Sequence, residues 1–261
     1  MFLSLLKINL GNDPNHPGRI WLRNIYHVHQ RLCMAFPSAF RKGDDPNFLK
    51  PYKPEDFGDK QVRVARKKEA GFLFRIDPQP SGRVALLAQS AIQPDWDYAF
   101  HNADYLLAAP PQVKPFDPGF LNGERLRFRL VANPTKKIDT IKKETRQNLS
   151  NDELRAMKGR HGKRVPVRTE DLHEWLSGRA ERGGFSLDGD SVAIQAGHIY
   201  VKKPGERGNR LRSVRYEGRL EITNSGLFQE TLIRGIGPGK AFGFGLLSVA
   251  PVRSFPPEEQ T

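Results

Sequence analysis

The sequence has almost no cysteine: Cys33 is the only one in 261 residues. A lone thiol excludes an intramolecular disulfide and any zinc site built on cysteine pairs, and it suits a reducing cytoplasm. Long apolar runs are missing as well. No segment approaches the ~18–20 apolar residues of a membrane span. The apolar start MFLSLLKINL carries neither a basic n-region nor a small-residue cleavage site. The seven histidines show no ligand spacing such as HExxH, so neither metal nor cofactor is expected. Acidic side chains are the scarcer charge, 29 Asp and Glu against 42 Lys and Arg, for a formal net charge of +13. A field of that sign draws polyanions, and nucleic acid is the expected partner. An anionic membrane ranks last, because no basic amphipathic helix with a clean apolar face is visible.

What is present is patterned. Residues 2–10 alternate, with Phe2, Leu6, Ile8 and Leu10 on one face of a half-buried strand. A loop, GNDPNHPG, leads to a helix over 23–36, capped by Asn24, stopped by Pro37 and striped by Ile25, Val28, Leu32 and Phe36. Residues 41–68 are polar and read as a long loop or insertion. GFLFRID and RVALLAQS read as strands. The Pro-rich AAPPQVKPFDPG reads as an extended interdomain linker. Beyond it, RLRFRLVANP is a strand with Leu126, Phe128, Leu130 and Ala132 inward and Arg125, Arg127 and Arg129 outward. TEDLHEWLSGRAERGGF is a helix capped by Thr169 and ended by Gly183–Gly184. SVAIQAGHIYVKK and RSVRYEGRLEIT are strands, and LFQETLIRGI is a short helix. The second half thus reads βαββαβ, the ferredoxin-like pattern. The first half reads βαββ, with the missing helix and strand expected around 96–107. The fold class is α+β: two ferredoxin-like (RRM-like) domains in tandem, at 1–108 and 123–253, with a linker at 109–122 and a tail at 254–261.

The most distinctive stretch lies near the C-terminus, where Gly235, Gly237, Gly239, Gly243 and Gly245 fall within eleven residues. Glycine lets the backbone adopt φ > 0 and approach a ligand, and exposed amides in such a loop form an anion-binding concavity. Gly237, Gly239 and Gly243 are therefore expected to face RNA phosphate, with Lys240 adding a charge; Phe242 and Phe244 serve either the core or base stacking. The stretch is neither a dinucleotide fingerprint nor a Walker loop. The string GIGPGKAFGFGLLSVAP resembles the glycine-rich loop of the repeat-associated RNA-binding proteins of CRISPR systems, and within them the CasE family. FLSLLKINL, YHVHQRLCMAFP, RLRFRLVANPTK and GKRVPV agree with it. The resemblance implies two ferredoxin-like domains, recognition of the CRISPR repeat hairpin and metal-free cleavage at its 3′ base. It further implies that the product stays bound and that the protein joins the other Cascade subunits.

RNA is cut without metal when its own 2′-hydroxyl attacks the adjacent phosphate, which calls for a proton acceptor, a proton donor, or both. Histidine suits either role. Tyr26 and His29, three apart, share one face of the first helix. They match the Tyr-x-x-His pattern of the CasE family, in which the histidine is catalytic, so the resemblance makes His29 the general acid or base and gives Tyr26 an orienting or phosphate-binding role. His27 points elsewhere and is expected in solvent. Some family members carry a lysine five residues after the histidine; here that position is Met34, and the role is either empty or passes to Arg31, Arg41 or Lys42. The expected RNA grip comprises Arg31, then Lys163 and Arg164 in GKRVPV, then Lys202, Lys203, Arg207, Arg210, Arg212 and Arg215. The last group resembles the arginine-rich hairpin that family members insert at the RNA stem. The tract from Lys136 to Lys158 is expected to be a loop that orders on RNA. Two other readings stand beside this one: a catalytically silent RNA-binding subunit of the same fold, and a structural nucleic-acid protein of ribosomal type.

Overall fold

The computed structural model describes residues 1–36, 71–79, 82–139, 162–202 and 207–252. The first domain runs through β1 (Phe2–Ile8), α1 (Pro17–Arg23), α2 (Ile25–Cys33), β2 (Phe72–Pro78), β3 (Val84–Ser90), α3 (Trp96–Phe100) and β4 (Gln112–Pro115). Its strands form one antiparallel sheet in the order β2-β3-β1-β4. That is a complete βαββαβ unit. Alternation in β1 puts Ser4, Leu6 and Ile8 under the helices, and α2 answers with Ile25, Val28 and Leu32, all buried. Burying each such aliphatic side chain is worth about 1.5–3 kcal/mol. This stripe therefore sets which way α2 rolls, and with it where Tyr26 and His29 lie. The Asn24 side chain caps α2 by accepting from the Tyr26 amide at 3.2 Å, as expected.

Two elements depart from the sequence reading. The GNDPNHPG stretch is not wholly a loop: Pro17 opens α1, with the His16 ring accepting from the Gly18 amide. The linker at 109–122 holds β4, which pairs with β1 and completes the first sheet. Every residue of β4 is exposed, so this edge strand has no apolar alternation to betray it. The insertion at 41–68 lies outside the described residues.

The second domain comprises β5 (Arg125–Ala132), β6 (Thr135–Asp139), β7 (Gly162–Pro166), α4 (Leu172–Arg182), β8 (Phe185–Leu187), β9 (Ala193–Val201), β10 (Asn209–Ile222), α5 (Ser225–Arg234) and β11 (Leu247–Pro251). The order β11-β5-β10-β8 repeats the first domain's topology, with β9 added along β10 and β6–β7 as a separate hairpin. Leu126, Phe128, Leu130 and Ala132 of β5 are buried, as alternation predicts. The start of the charged tract after Pro134 is β6, paired with β7; residues 140–161 lie outside the described residues. Thr169 does not cap α4. Its hydroxyl accepts from Arg212 instead, at 2.8 Å, and Asp171 occupies the cap position.

Buried polar side chains pin the domains together. Arg75, 4% exposed, extends from β2 into the second domain, where it donates to the carbonyls of Arg129 and Leu246 and to Ser248 Oγ. Asp77 neutralises it through two hydrogen bonds of 2.8 and 2.9 Å. A buried guanidinium is tolerated when paired and fully bonded in this way. Gln89 of β3 donates to the Leu232 carbonyl in the last turn of α5 at 2.7 Å. From the other side, Ile199, Val201 and Leu211 of the β9–β10 hairpin pack into the first domain's core.

Candidate nucleic-acid interface and cleavage site

The helix α2 presents His29 at the junction of the two domains. Its imidazole stacks on Phe72, with centroids 5.7 Å apart and planes at 28°, and on Phe74, at 6.3 Å and 17°. Offset stacking of this kind fixes the plane of a ring. The Cys33 thiol, one turn later, lies 3.6 Å from Nε2. Tyr26 is half-buried against the first core on the same helix, while His27 is exposed as expected. Phe72 and Phe74 were readable as strand residues, but nothing local in the sequence ties them to a histidine more than 40 positions away.

The glycine-rich stretch meets this helix from the far end of the chain. The 3-10 turn Lys240–Phe242 packs against α2 and β2. Gly243, at φ +78°, sits so close that a Cβ there would lie 3.3 Å from the Phe74 ring. On its Cβ side Gly237 abuts Trp175 and Gly239 abuts Phe244, and both glycines are half-buried. The amides of Ile236, Phe242, Gly243 and Gly245 donate to protein carbonyls. Of the three glycines expected to face phosphate, Gly243 thus lies at the domain junction, while Gly237 and Gly239 are half-buried within the second domain. Of the two phenylalanines, Phe244 is buried and Phe242 packs on the first domain's core. Lys240 is half-buried, and burial, aided by Arg234, lowers its pKa from the usual lysine value.

The basic residues separate into tied and untied groups. Arg31 points inward: its Nη1 donates to the Ala99 carbonyl and to Asn102 Oδ1, and burial lowers its pKa against a weaker opposing influence of Tyr105. It joins α2 to the segment around α3. Met34 packs on the first core and offers no charge, while Arg41 and Lys42 lie outside the described residues. Arg215 lines an interdomain cleft of about 480 Å³ but is bonded to Glu217, which Arg129 also engages. Burial alone would raise the Glu217 pKa; the hydrogen bonds and charges of the two arginines outweigh it and hold the carboxyl below the usual range. Arg212 donates to the Val167 carbonyl and to Thr169. Lys163, Arg164, Lys202, Arg207 and Arg210 remain exposed, and among the described residues none of them forms an ion pair. Lys203 lies outside the described residues. Arg179 was missed: on α4 it lies over the Trp175 ring, 5.5 Å from its centroid. Its pKa is lowered by burial first and then by the charges of Arg182 and Arg164, so α4 and β7 share one basic surface. Basic residues in the last turn of α4 were the available signal. Among the described residues no group of three His, Cys, Asp or Glu is placed to hold a metal ion, and no helix is long and apolar enough to cross a membrane.

Comparison with known proteins bears on this arrangement. A family model described as "CRISPR associated protein" matches residues 1–251. The chain is 36% identical over 255 residues to the CRISPR-associated endoribonuclease Cse3 of Thermus thermophilus, covering 92% of this chain and 96% of the relative. It is 28% identical over 239 residues to the CRISPR system Cascade subunit CasE of Escherichia coli, covering 90% and 96%. A structure of Cse3 bound to a 19-nucleotide RNA superimposes with a TM-score of 0.68 at 32% identity, covering 96% of this chain and all of that one.

Proposed function

This chain belongs to the CasE (Cse3) family of CRISPR-associated proteins, and from that premise we propose that it binds the CRISPR repeat hairpin and cuts precursor CRISPR RNA without a metal ion. The observation that carries the reading is the His29 imidazole, held by two stacked phenylalanines at the domain junction. In the step proposed, the 2′-oxygen bonds to the adjacent phosphorus and the bond from phosphorus to the 5′-oxygen breaks. The products are a 2′,3′-cyclic phosphate and a 5′-hydroxyl. His29 takes the 2′-proton or supplies the one the leaving oxygen needs; Tyr26, on the same helix face, orients it or contacts the phosphate. Charge building on the phosphate calls for a nearby cation. With Met34 apolar and Arg31 turned inward, Lys240 on the adjoining turn is the candidate.

The RNA is gripped by Lys163 and Arg164 on β7 and by Lys202, Arg207 and Arg210 around the β9–β10 hairpin, residues exposed and without ion pairs. Arg212 and Arg215 shape that surface from bonded positions. The protein keeps its product and serves as a Cascade subunit. Met34 favours one other reading, a silent RNA-binding subunit. A repeat RNA carrying a 2′-deoxy sugar just upstream of the scissile phosphate separates the cases. It binds as the all-ribose RNA does but resists cleavage if the attack is internal, whereas cleavage of it contradicts the proposal. An all-ribose RNA that binds and stays whole supports the silent subunit.

A further inference from the structure

One face of the β9–β10 hairpin is unexplained by packing. Side chains alternate along a strand. On one side Ile199, Val201 and Leu211 enter the first domain's core. On the other side Tyr200 pairs in register with Arg210, and His198 with Arg212. This second face alternates aromatic rings with guanidinium groups. Tyr200 is 52% exposed, a large apolar ring that folding leaves uncovered.

The ring is nonetheless positioned. Its hydroxyl end lies against Gly208, where a Cβ would fall 1.8 Å from the Tyr200 hydroxyl oxygen and 2.2 Å from Cζ. Only glycine leaves that room. Arg212 is fixed by its bonds to Val167 and Thr169, while Arg210 has no ion pair among the described residues. The face also sits beside the proposed cleavage site: Asn24, the cap of α2, donates to the Lys202 carbonyl at 3.1 Å. At ~1.5 Å of rise per residue, His29 lies about 7 Å further along that helix.

We propose that this face is a platform for unpaired nucleotides flanking the repeat hairpin, with a base stacked on Tyr200 and the adjoining phosphate on Arg210. Bases inside a duplex have both faces covered, so an uncovered ring in a cationic row selects single-stranded RNA. The inference rests on the reading that the chain binds repeat RNA, and it does not depend on the chemistry assigned to His29.

The test is equilibrium binding with two RNAs, the bare repeat hairpin and the same hairpin with a short unpaired flank, each 2′-deoxy at the scissile position. Tyr200→Ala should weaken the flanked RNA about tenfold, the scale of one lost base stack, and leave the bare hairpin unchanged. Tyr200→Phe should behave as wild type, because the ring is retained. Gly208→Ala should reproduce the Tyr200→Ala loss by displacing the ring, with circular dichroism showing that both variants are folded. Equal losses for both RNAs would mean that Tyr200 serves the stem rather than the flank, and unchanged affinity for both would mean that Tyr200 is idle; either result overturns the platform. Wild-type protein that binds neither RNA overturns the RNA reading beneath it.

Discussion

At the scale of single residues, the same side-chain type does opposite work in different surroundings. Arg31 and Arg210 are both arginines on basic stretches, yet Arg31 is bonded to the Ala99 carbonyl and Asn102, while Arg210 is exposed. Arg31→Met should therefore cost stability, about 1.5–3 kcal/mol for lost charge-assisted hydrogen bonds, read as a lower denaturant midpoint, and leave RNA affinity intact. Glu217 makes a pH prediction. Its carboxyl is held below the ordinary value of 4.5 in the folded state. Its contribution to stability is thus complete above the unfolded pKa and is lost as pH falls through the folded one. Glu217→Gln should be less stable than wild type at neutral pH, and the two midpoints should converge as pH falls through the folded pKa. Neither the Arg31 bonds nor the Arg129–Glu217 pair was legible in the sequence, because each joins positions far apart in the chain.

At the scale of elements, legibility followed apolar patterning. The burial of β5 and the stripe and cap of α2 were read correctly, since each carries its periodicity in consecutive residues. β4 was absorbed into a linker because all four of its residues are exposed. α1 was read as loop because it is a single short helix with Ile20 half-exposed and only Gly18 buried. The glycine-rich stretch was noticed, but composition cannot tell an amide offered to a ligand from one closed against protein, as that of Gly243 is. Gly243 decides the matter at the bench. Any other L-residue at φ +78° is strained by roughly 1–3 kcal/mol, and here its Cβ would also press on Phe74, which lies under His29. Gly243→Ala should lower both the melting temperature and the cleavage rate. A phosphate cradle would instead predict lost RNA affinity with the melting temperature unchanged.

At the scale of the molecule, two copies of one topology are joined by Arg75 and Gln89 so that the N-terminal helix and the C-terminal loop share a seam. The tandem fold was legible from the second half's βαββαβ order; the seam was not, since it depends on how two separately patterned units dock. The net charge of +13 is likewise uneven in effect. Arg125 is paired with Glu221, and Arg129 with Glu217, so neither should contribute to the salt dependence of RNA binding. Arg207→Ala and Arg210→Ala should each reduce the slope of log affinity against log salt by about 1, and Arg125→Ala should leave it unchanged. The whole account turns on His29. The most direct measurement is cleavage of repeat-hairpin RNA by wild type and His29→Ala in excess EDTA, with affinity measured alongside. The account predicts that wild type cuts and leaves a 2′,3′-cyclic phosphate, while His29→Ala binds equally well and does not cut. Cutting by His29→Ala at the wild-type rate, or wild-type cleavage that EDTA abolishes, would contradict it.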